Sequence, residues 1–111
     1  MDAILEQFLM EARDNLEYLD KHLENIKDSD DETINALFRA AHTLKGGAGL
    51  VGFVAVKEVT HAAEDLLDAY RNKKIEFNEE MIEILYDAFD EVIELIDGAE
   101  ELGSIDVNVD E

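Results

Sequence analysis

The chain has 111 residues, with neither proline nor cysteine; this is enough for one domain, and it leaves no disulfide framework and no thiolate metal site. Its 29 acidic residues against 9 basic ones give a formal net charge of −20, a balance that repels nucleic acid and anionic lipid. No apolar run approaches the ~20 residues of a membrane span, and Asp2, Glu6 and Glu11 interrupt the stretch where a signal peptide would lie, so the expected location is cytoplasmic, without membrane insertion.

Helical periodicity organises the chain. In the first segment Ile4, Leu5, Phe8, Leu9, Ala12, Leu16, Leu19, Leu23 and Ile26 form one apolar stripe. The run DSDDET breaks it, and Ser29 with Glu32 fits a capping box for the next helix. The second stripe is Ile34, Leu37, Phe38, Ala41, Leu44, Ala48 and Val51; the third is Val56, Val59, Ala63, Leu66, Leu67 and Tyr70, closing at the basic turn RNKK. Asn78 is the expected N-cap of a fourth helix, with Phe77 stapling onto Ile82, and its stripe continues through Leu85, Ala88, Phe89, Val92 and Ile96. Such elements with short connections predict an all-α fold, an antiparallel four-helix bundle of up-down topology over residues 1–102. From Gly103 to Glu111 the apolar residues Ile105, Val107 and Val109 alternate with acids, which predicts an acidic tail or linker, at most an incomplete fifth element.

The acids are unevenly placed. Between Thr33 and Lys57 there is none, where an even spread would put about six or seven, and the same window holds Arg39, His42, Lys45 and Lys57. It also contains GAGLVG, Gly47 to Gly52, the G-x-G-x-x-G pattern of a dinucleotide loop. That loop needs a strand before its glycines and a helix after them; here the glycines continue a helical pattern, so the nucleotide reading is set aside. Glycine inside a helix costs about 1 kcal/mol relative to alanine, and Gly46, Gly47 and Gly49 need an offset. Gly46 and Gly49 stand at i+4 and i+7 from His42, nearly in line with it. They bare a strip of backbone on which a second protein could dock and reach the imidazole, with Arg39 and Lys57 on the same expected docking surface. The competing reading is close packing within the bundle. Docking is favoured because His42 lies ~115° from the centre of its stripe, outside the core-facing arc.

The third helix carries a matching set. His61, Glu64, Lys57 and Asp68 lie along one line of it, and Glu64 is displaced ~110° from its stripe in the same sense as His42. His42 is eleven residues before Phe53, where the chain turns, and Glu64 eleven after. Both therefore stand roughly 16 Å from the turn, with His61 about a turn closer to it. Helix geometry thus predicts one partly exposed cluster of His42, Lys45, His61 and Glu64. A carboxylate on Nδ1 fixes the imidazole tautomer and frees Nε2, and Lys45 can steady phosphoryl oxygens. This set holds a nucleophile, an orienting acid and a cation, without a water-activating base; it accepts a group and passes it on.

The residues AHTLKGGAGLVGF, with H-x-x-E beginning nineteen positions after His42, resemble the phosphorylation motif of histidine phosphotransfer (HPt) domains. In the longer form they are similar to the N-terminal domain of CheA-type chemotaxis histidine kinases. The resemblance spans about residues 1 to 98. It implies that His42 is the phosphoacceptor at Nε2, that Glu64 orients it, and that Lys45 and His61 are its neighbours. It implies a phosphocarrier of a two-component chemotaxis pathway, taking its phosphoryl group from the ATP-bound catalytic domain of a histidine kinase and giving it to a response-regulator aspartate. ATP and Mg would be held by the partner kinase domain, with no cofactor or metal in this domain, itself expected to be monomeric. The module alone is a phosphoacceptor, and the intact protein would be an ATP-dependent protein-histidine kinase. Members often carry a fifth helix, which this chain is too short to complete. The weaker readings are a stand-alone relay outside chemotaxis, a metal site built on His42, His61 and Glu64, and an acidic adaptor in which the histidines are incidental.

Overall fold

A computed structural model of the chain describes residues 2–105. Four helices, α1 (Ala3–Leu23), α2 (Asp31–Val51), α3 (Val54–Arg71) and α4 (Glu79–Leu102), follow one another, with a short 3-10 turn at Ile26–Asp28 between the first two. Three begin on a side-chain cap of the kind that satisfies the orphan amides of a first turn. Asp2 accepts from the Ile4 amide at 2.8 Å, Asp30 from Thr33 at 2.8 Å, and Asn78 from Met81 at 2.9 Å. The cap at Asn78 is the expected one, and Phe77 and Ile82 beside it are both buried.

The cap of α2 is not. The expected pair, Ser29 and Glu32, gives way to Asp30 and Thr33. The 3-10 turn occupies the preceding residues, and the Ser29 hydroxyl donates to the Asn25 carbonyl at 3.0 Å. The next residue, with a full carboxylate, is left to receive the helix amide. That bond from Thr33 holds the Asp30 carboxyl below its ordinary range.

Each helix packs against its two neighbours, α1 on α2, α2 on α3, α3 on α4 and α4 back on α1, which closes the four into a bundle. Its core is the expected stripes: Leu9, Leu19 and Leu23 from α1, Leu37 and Leu44 from α2, Val56 and Leu67 from α3, Leu85, Val92 and Ile96 from α4. Several stripe members fall outside it, Ile4, Phe38 and Ala88 among them. Ile4 is 65% exposed, while Leu5 beside it is buried. Phe38 is half-buried and stands apart from the core cluster.

The α2–α3 connection fixes how the site is assembled. Gly52 has φ +78°, a left-handed conformation that glycine adopts without a Cβ penalty. The Phe53 amide donates to the Ala48 carbonyl at 2.8 Å and the Gly52 amide to that of Gly49 at 3.2 Å, the paired bonds of a Schellman ending. Phe53 is buried with 1% exposure, and α3 starts directly after it. The two helices therefore form a tight antiparallel hairpin with little freedom in relative height. At the same end of the molecule Gly103 ends α4 at φ +74°, and Ile105, of the expected tail, packs partly buried against the core and stands 3.9 Å from where a Cβ of Gly52 would lie. The remainder of the tail, residues 106–111, lies outside the described residues. No described helix is long and apolar enough to cross a membrane.

Candidate functional site

His42 projects from the middle of α2 with 60% of its side chain exposed. Its Nδ1 is bonded to Oε2 of Glu64, from α3, and the Lys45 ammonium, one turn further along α2, donates to Oε1 of the same carboxylate at 2.5 Å. Glu64 is only 5% exposed. A buried carboxylate is costly unless paired and hydrogen-bonded, and here each oxygen has a partner. Burial pushes the carboxyl up, but the bonds from Lys45 and His42 and their charges outweigh it, and the group stays below the ordinary carboxylate range. An ionised Glu64 accepts the Nδ1 hydrogen, which leaves Nε2 as the unprotonated ring nitrogen.

The height match about Phe53 thus brings His42, Lys45 and Glu64 together as expected. The role of Lys45 differs in one respect. Its ammonium rests on Glu64 instead of standing free beside Nε2, so its first effect is to keep that carboxylate charged. His61 lies outside the hydrogen-bonded set. It is 57% exposed, and its Nε2 faces Asp65, one turn on along α3, at 3.7 Å. His61, Glu64 and Asp65 carry ligand atoms within 4.8 Å of one another, a trio that does not include His42. Both oxygens of Glu64 are already bonded, so a metal there would have one imidazole and one exposed carboxylate to itself.

The three helix glycines separate by surroundings. A Cβ on Gly46 would meet nothing within 4 Å; one on Gly47 would stand 2.9 Å from the ring of Phe8; one on Gly49 would lie 3.6 Å from the stem of Lys57. Gly47 is therefore a packing glycine between α1 and α2, Gly49 is covered by an α3 side chain, and Gly46 alone is bare. Lys57 lies along this side of α2. Arg39, exposed and seven residues before Gly46 on α2, lies toward α1 near Asp14, Tyr18 and Thr43. The pattern Gly47 to Gly52 falls within the last turns and the C-terminal cap of α2, where the helix dipole is negative and repels phosphate.

Two residues of the site escaped the reading of the sequence. The ring of Phe38 stacks beside the His42 imidazole with centroids 6.0 Å apart, and the Arg71 guanidinium carbon lies 3.9 Å from the Phe38 centroid. The i, i+4 spacing of Phe38 and His42 on one helix was the available signal.

Residues 3–102 match the Hpt domain family. The chain belongs to this family. This Hpt domain is 38% identical over 92 residues to the chemotaxis protein CheA of Salmonella typhimurium, and 33% identical over 108 residues to that of Rhizobium meliloti. These matches cover 81% and 96% of the chain. It spans 14% of the length of each relative. Among solved structures, the Hpt domain resembles a histidine phosphotransfer domain of CheA in solution, with TM-score 0.85, 31% identity, and 99% of this chain and 84% of the other covered. It also resembles the CheA phosphotransferase domain of Thermotoga maritima, with TM-score 0.80, 30% identity, and 88% and 97% covered. A third likeness is the phosphorylated P1 domain of CheA3 from R. sphaeroides, in a crystal with CheY6, with TM-score 0.82, 25% identity, and 94% and 83% covered.

Proposed function

We propose that this Hpt domain is the phosphoacceptor module of a CheA-type chemotaxis kinase, and that His42 is its acceptor. The Nε2 lone pair attacks the γ-phosphorus of ATP held by the kinase's catalytic domain. The N–P bond forms, the bond to the bridging oxygen breaks, and ADP leaves. The positive charge that develops on the imidazole is balanced by Glu64 through the Nδ1 hydrogen. In the second step a carboxylate oxygen of a response-regulator aspartate attacks the same phosphorus, the N–P bond breaks, and the imidazole leaves in its original tautomer. Mg and ATP belong to the partner, and the module works as a cytoplasmic monomer.

The observation that carries this reading is the imidazole itself. Its Nδ1 is held by a buried ionised carboxylate while its outer edge is open to solvent, a nucleophile oriented outward. Gly46 supports it: with nothing within 4 Å of its missing Cβ, it has no packing reason to be glycine, four residues from His42. The crystal of the phosphorylated CheA3 domain with CheY6 supports a response regulator as the receiving partner.

The test is incubation with labelled ATP and a CheA-type catalytic domain. The wild-type domain should take up one label that is lost in acid and survives alkali. His42→Gln should take up none while remaining folded, since glutamine suits a helix and the bond that buried Glu64 loses costs at most about 1–3 kcal/mol. Stoichiometric acid-labile phosphate on the His42→Gln protein would reject His42 and turn attention to His61.

A further inference from the structure

A single hydrogen bond at Nδ1 leaves the His42 ring free to turn about the axis of that bond. Transfer to phosphorus is directional, since the Nε2 lone pair lies in the ring plane and must point along the line of attack. A second restraint stands on the same helix. The Phe38 ring lies within 17° of parallel to the imidazole, at a centroid separation of 6.0 Å, inside the range at which aromatic pairs attract. Phe38 does not belong to the core cluster, so filling the interior is not what holds a large aromatic ring at this position.

Phe38 is itself clamped. The Arg71 guanidinium lies over its ring at 3.9 Å, a cation–π contact. Arg71 is fixed in turn by Asp68, whose Oδ1 receives Nη2 at 2.7 Å and Nε at 3.1 Å. The same oxygen accepts from Asn72 at 3.1 Å. The end of α3 thus reaches across to α2 and presses on the residue that flanks the acceptor histidine.

We infer that Phe38, clamped by Arg71, is a positioning residue that sets the plane of the His42 ring and so the direction of its Nε2 lone pair. The inference rests on the acceptor reading of His42. Glu64 decides which nitrogen is free, and Phe38 decides where that nitrogen points. Asp68 acts one step further back, by keeping the guanidinium flat against Phe38.

Phe38→Leu keeps an apolar side chain of similar reach and removes the flat wall. Arg71→Lys keeps the charge and gives up the planar contact. Long-range ¹H–¹⁵N spectra of the imidazoles report the His42 tautomer, and phosphoramidate serves as a donor that needs no partner protein. The wild-type domain should show His42 in the Nδ1–H tautomer. Phe38→Leu should keep that tautomer, which Glu64 sets, and show an uptake rate lower by about two- to tenfold, the range expected for one aromatic pair. Arg71→Lys should lower the rate by less, with the tautomer unchanged, and Phe38→Tyr should restore it. A folded Phe38→Leu protein with the wild-type uptake rate overturns the inference, and so does a rate that falls because the tautomer has changed. Should Phe38→Leu fail to fold, Arg71→Lys, a change at the surface, decides: an unchanged uptake rate there overturns it as well. A wild-type domain that takes no phosphoryl group strikes the acceptor reading, and the inference that rests on it.

Discussion

Glu64 is the residue on which the site turns. It is a carboxylate removed from water, and it stays ionised because Lys45 and His42 each satisfy one of its oxygens. Glu64→Gln keeps the shape and removes the charge. The amide no longer stabilises an imidazolium, and it can donate to Nδ1 as well as accept from it, which admits the wrong tautomer. Phosphoryl uptake should fall by about 10- to 1000-fold, less than the ~10⁴-fold loss when the orienting carboxylate of a protease triad is changed, because His42 is more exposed and Phe38 remains. The same residue sets a pH dependence. Its folded-state pKa lies below the ordinary value of 4.5, so its contribution to stability is complete above 4.5 and is lost as pH falls through the lower folded-state value. Urea melts should show wild type losing more stability than Glu64→Gln between pH 7 and the acid side of that transition. Equal losses would mean that Glu64 is not held ionised by its partners. His42 and Glu64 were legible in the sequence because the hairpin is symmetrical about Phe53, and counting residues along two antiparallel helices is counting height. Phe38 and Arg71 were not. Phe38 continues the apolar stripe of α2, and periodicity alone reads any such residue as core. Only side-chain directions show that it turns toward His42 and Arg71. His61 stands where its helix line puts it, with a ring nitrogen within 4.8 Å of a Glu64 carboxylate oxygen, and its Nε2 faces Asp65 at 3.7 Å, an i+4 neighbour that needs no particular crossing of helices.

Among the elements, α2 carries the most conflict between local preference and role. Three glycines weaken its last turns, and the structure gives them different tasks. Alanine at Gly47 gains helix propensity but sets a methyl group 2.9 Å from Phe8, a buried ring with 6% exposure that meets Phe53 edge-on. Overpacking of a core costs about 1–3 kcal/mol, more than the ~1 kcal/mol that propensity returns. Gly47→Ala should therefore lower stability, by up to about 2 kcal/mol. Gly46→Ala meets no atom and should raise it by about 0.5–1 kcal/mol. Chemical denaturation of the two single variants should give opposite signs. Two losses would place an unseen neighbour at Gly46, and two gains would show that Phe8 moves aside freely. At Gly46 a larger side chain separates fold from function: Gly46→Leu should be at least as stable as wild type and should transfer phosphate to a response regulator more slowly, if a partner needs the bare backbone. Wild-type transfer by that variant would remove the docking argument. The sequence could not sort these glycines, because their spacing from His42 is the same whether the missing side chain faces a partner, Phe8 or Lys57. The cap of α2 was ambiguous for a related reason. A run of polar residues from Asp28 to Thr33 offers several acceptors, and the choice of Asp30 follows from the 3-10 turn that precedes it.

At the scale of the whole molecule the net charge is the dominant fact. A charge of −20 is spread over a body whose principal extents are 40, 26 and 19 Å. The Debye length is about 30 Å at 0.01 M salt and about 8 Å at 0.15 M. At low salt most acidic pairs across the bundle therefore repel one another almost unscreened, and at physiological salt only near neighbours do. The compact state holds these charges closer together than the unfolded chain does, so screening favours folding. The opposing term is the loss of favourable ion pairs. Those on the surface, such as Arg13 of α1 with Asp97 and Glu100 of α4, are at least a third exposed and are each worth little. The pair inside the site, Lys45 with Glu64, is shielded from salt by burial. The repulsion should therefore win. The melting temperature should rise by several degrees between about 0.01 and 0.15 M sodium chloride, since ~1 kcal/mol moves a domain of this size by about 4–8 °C. The rise should flatten once the Debye length falls below the spacing of neighbouring acids. Sodium sulfate at matched ionic strength, which also strengthens apolar burial, separates the two effects, because only screening saturates. A melting temperature that falls as sodium chloride is added would show that the ion pairs, and not the excess of acid, govern the stability of this bundle.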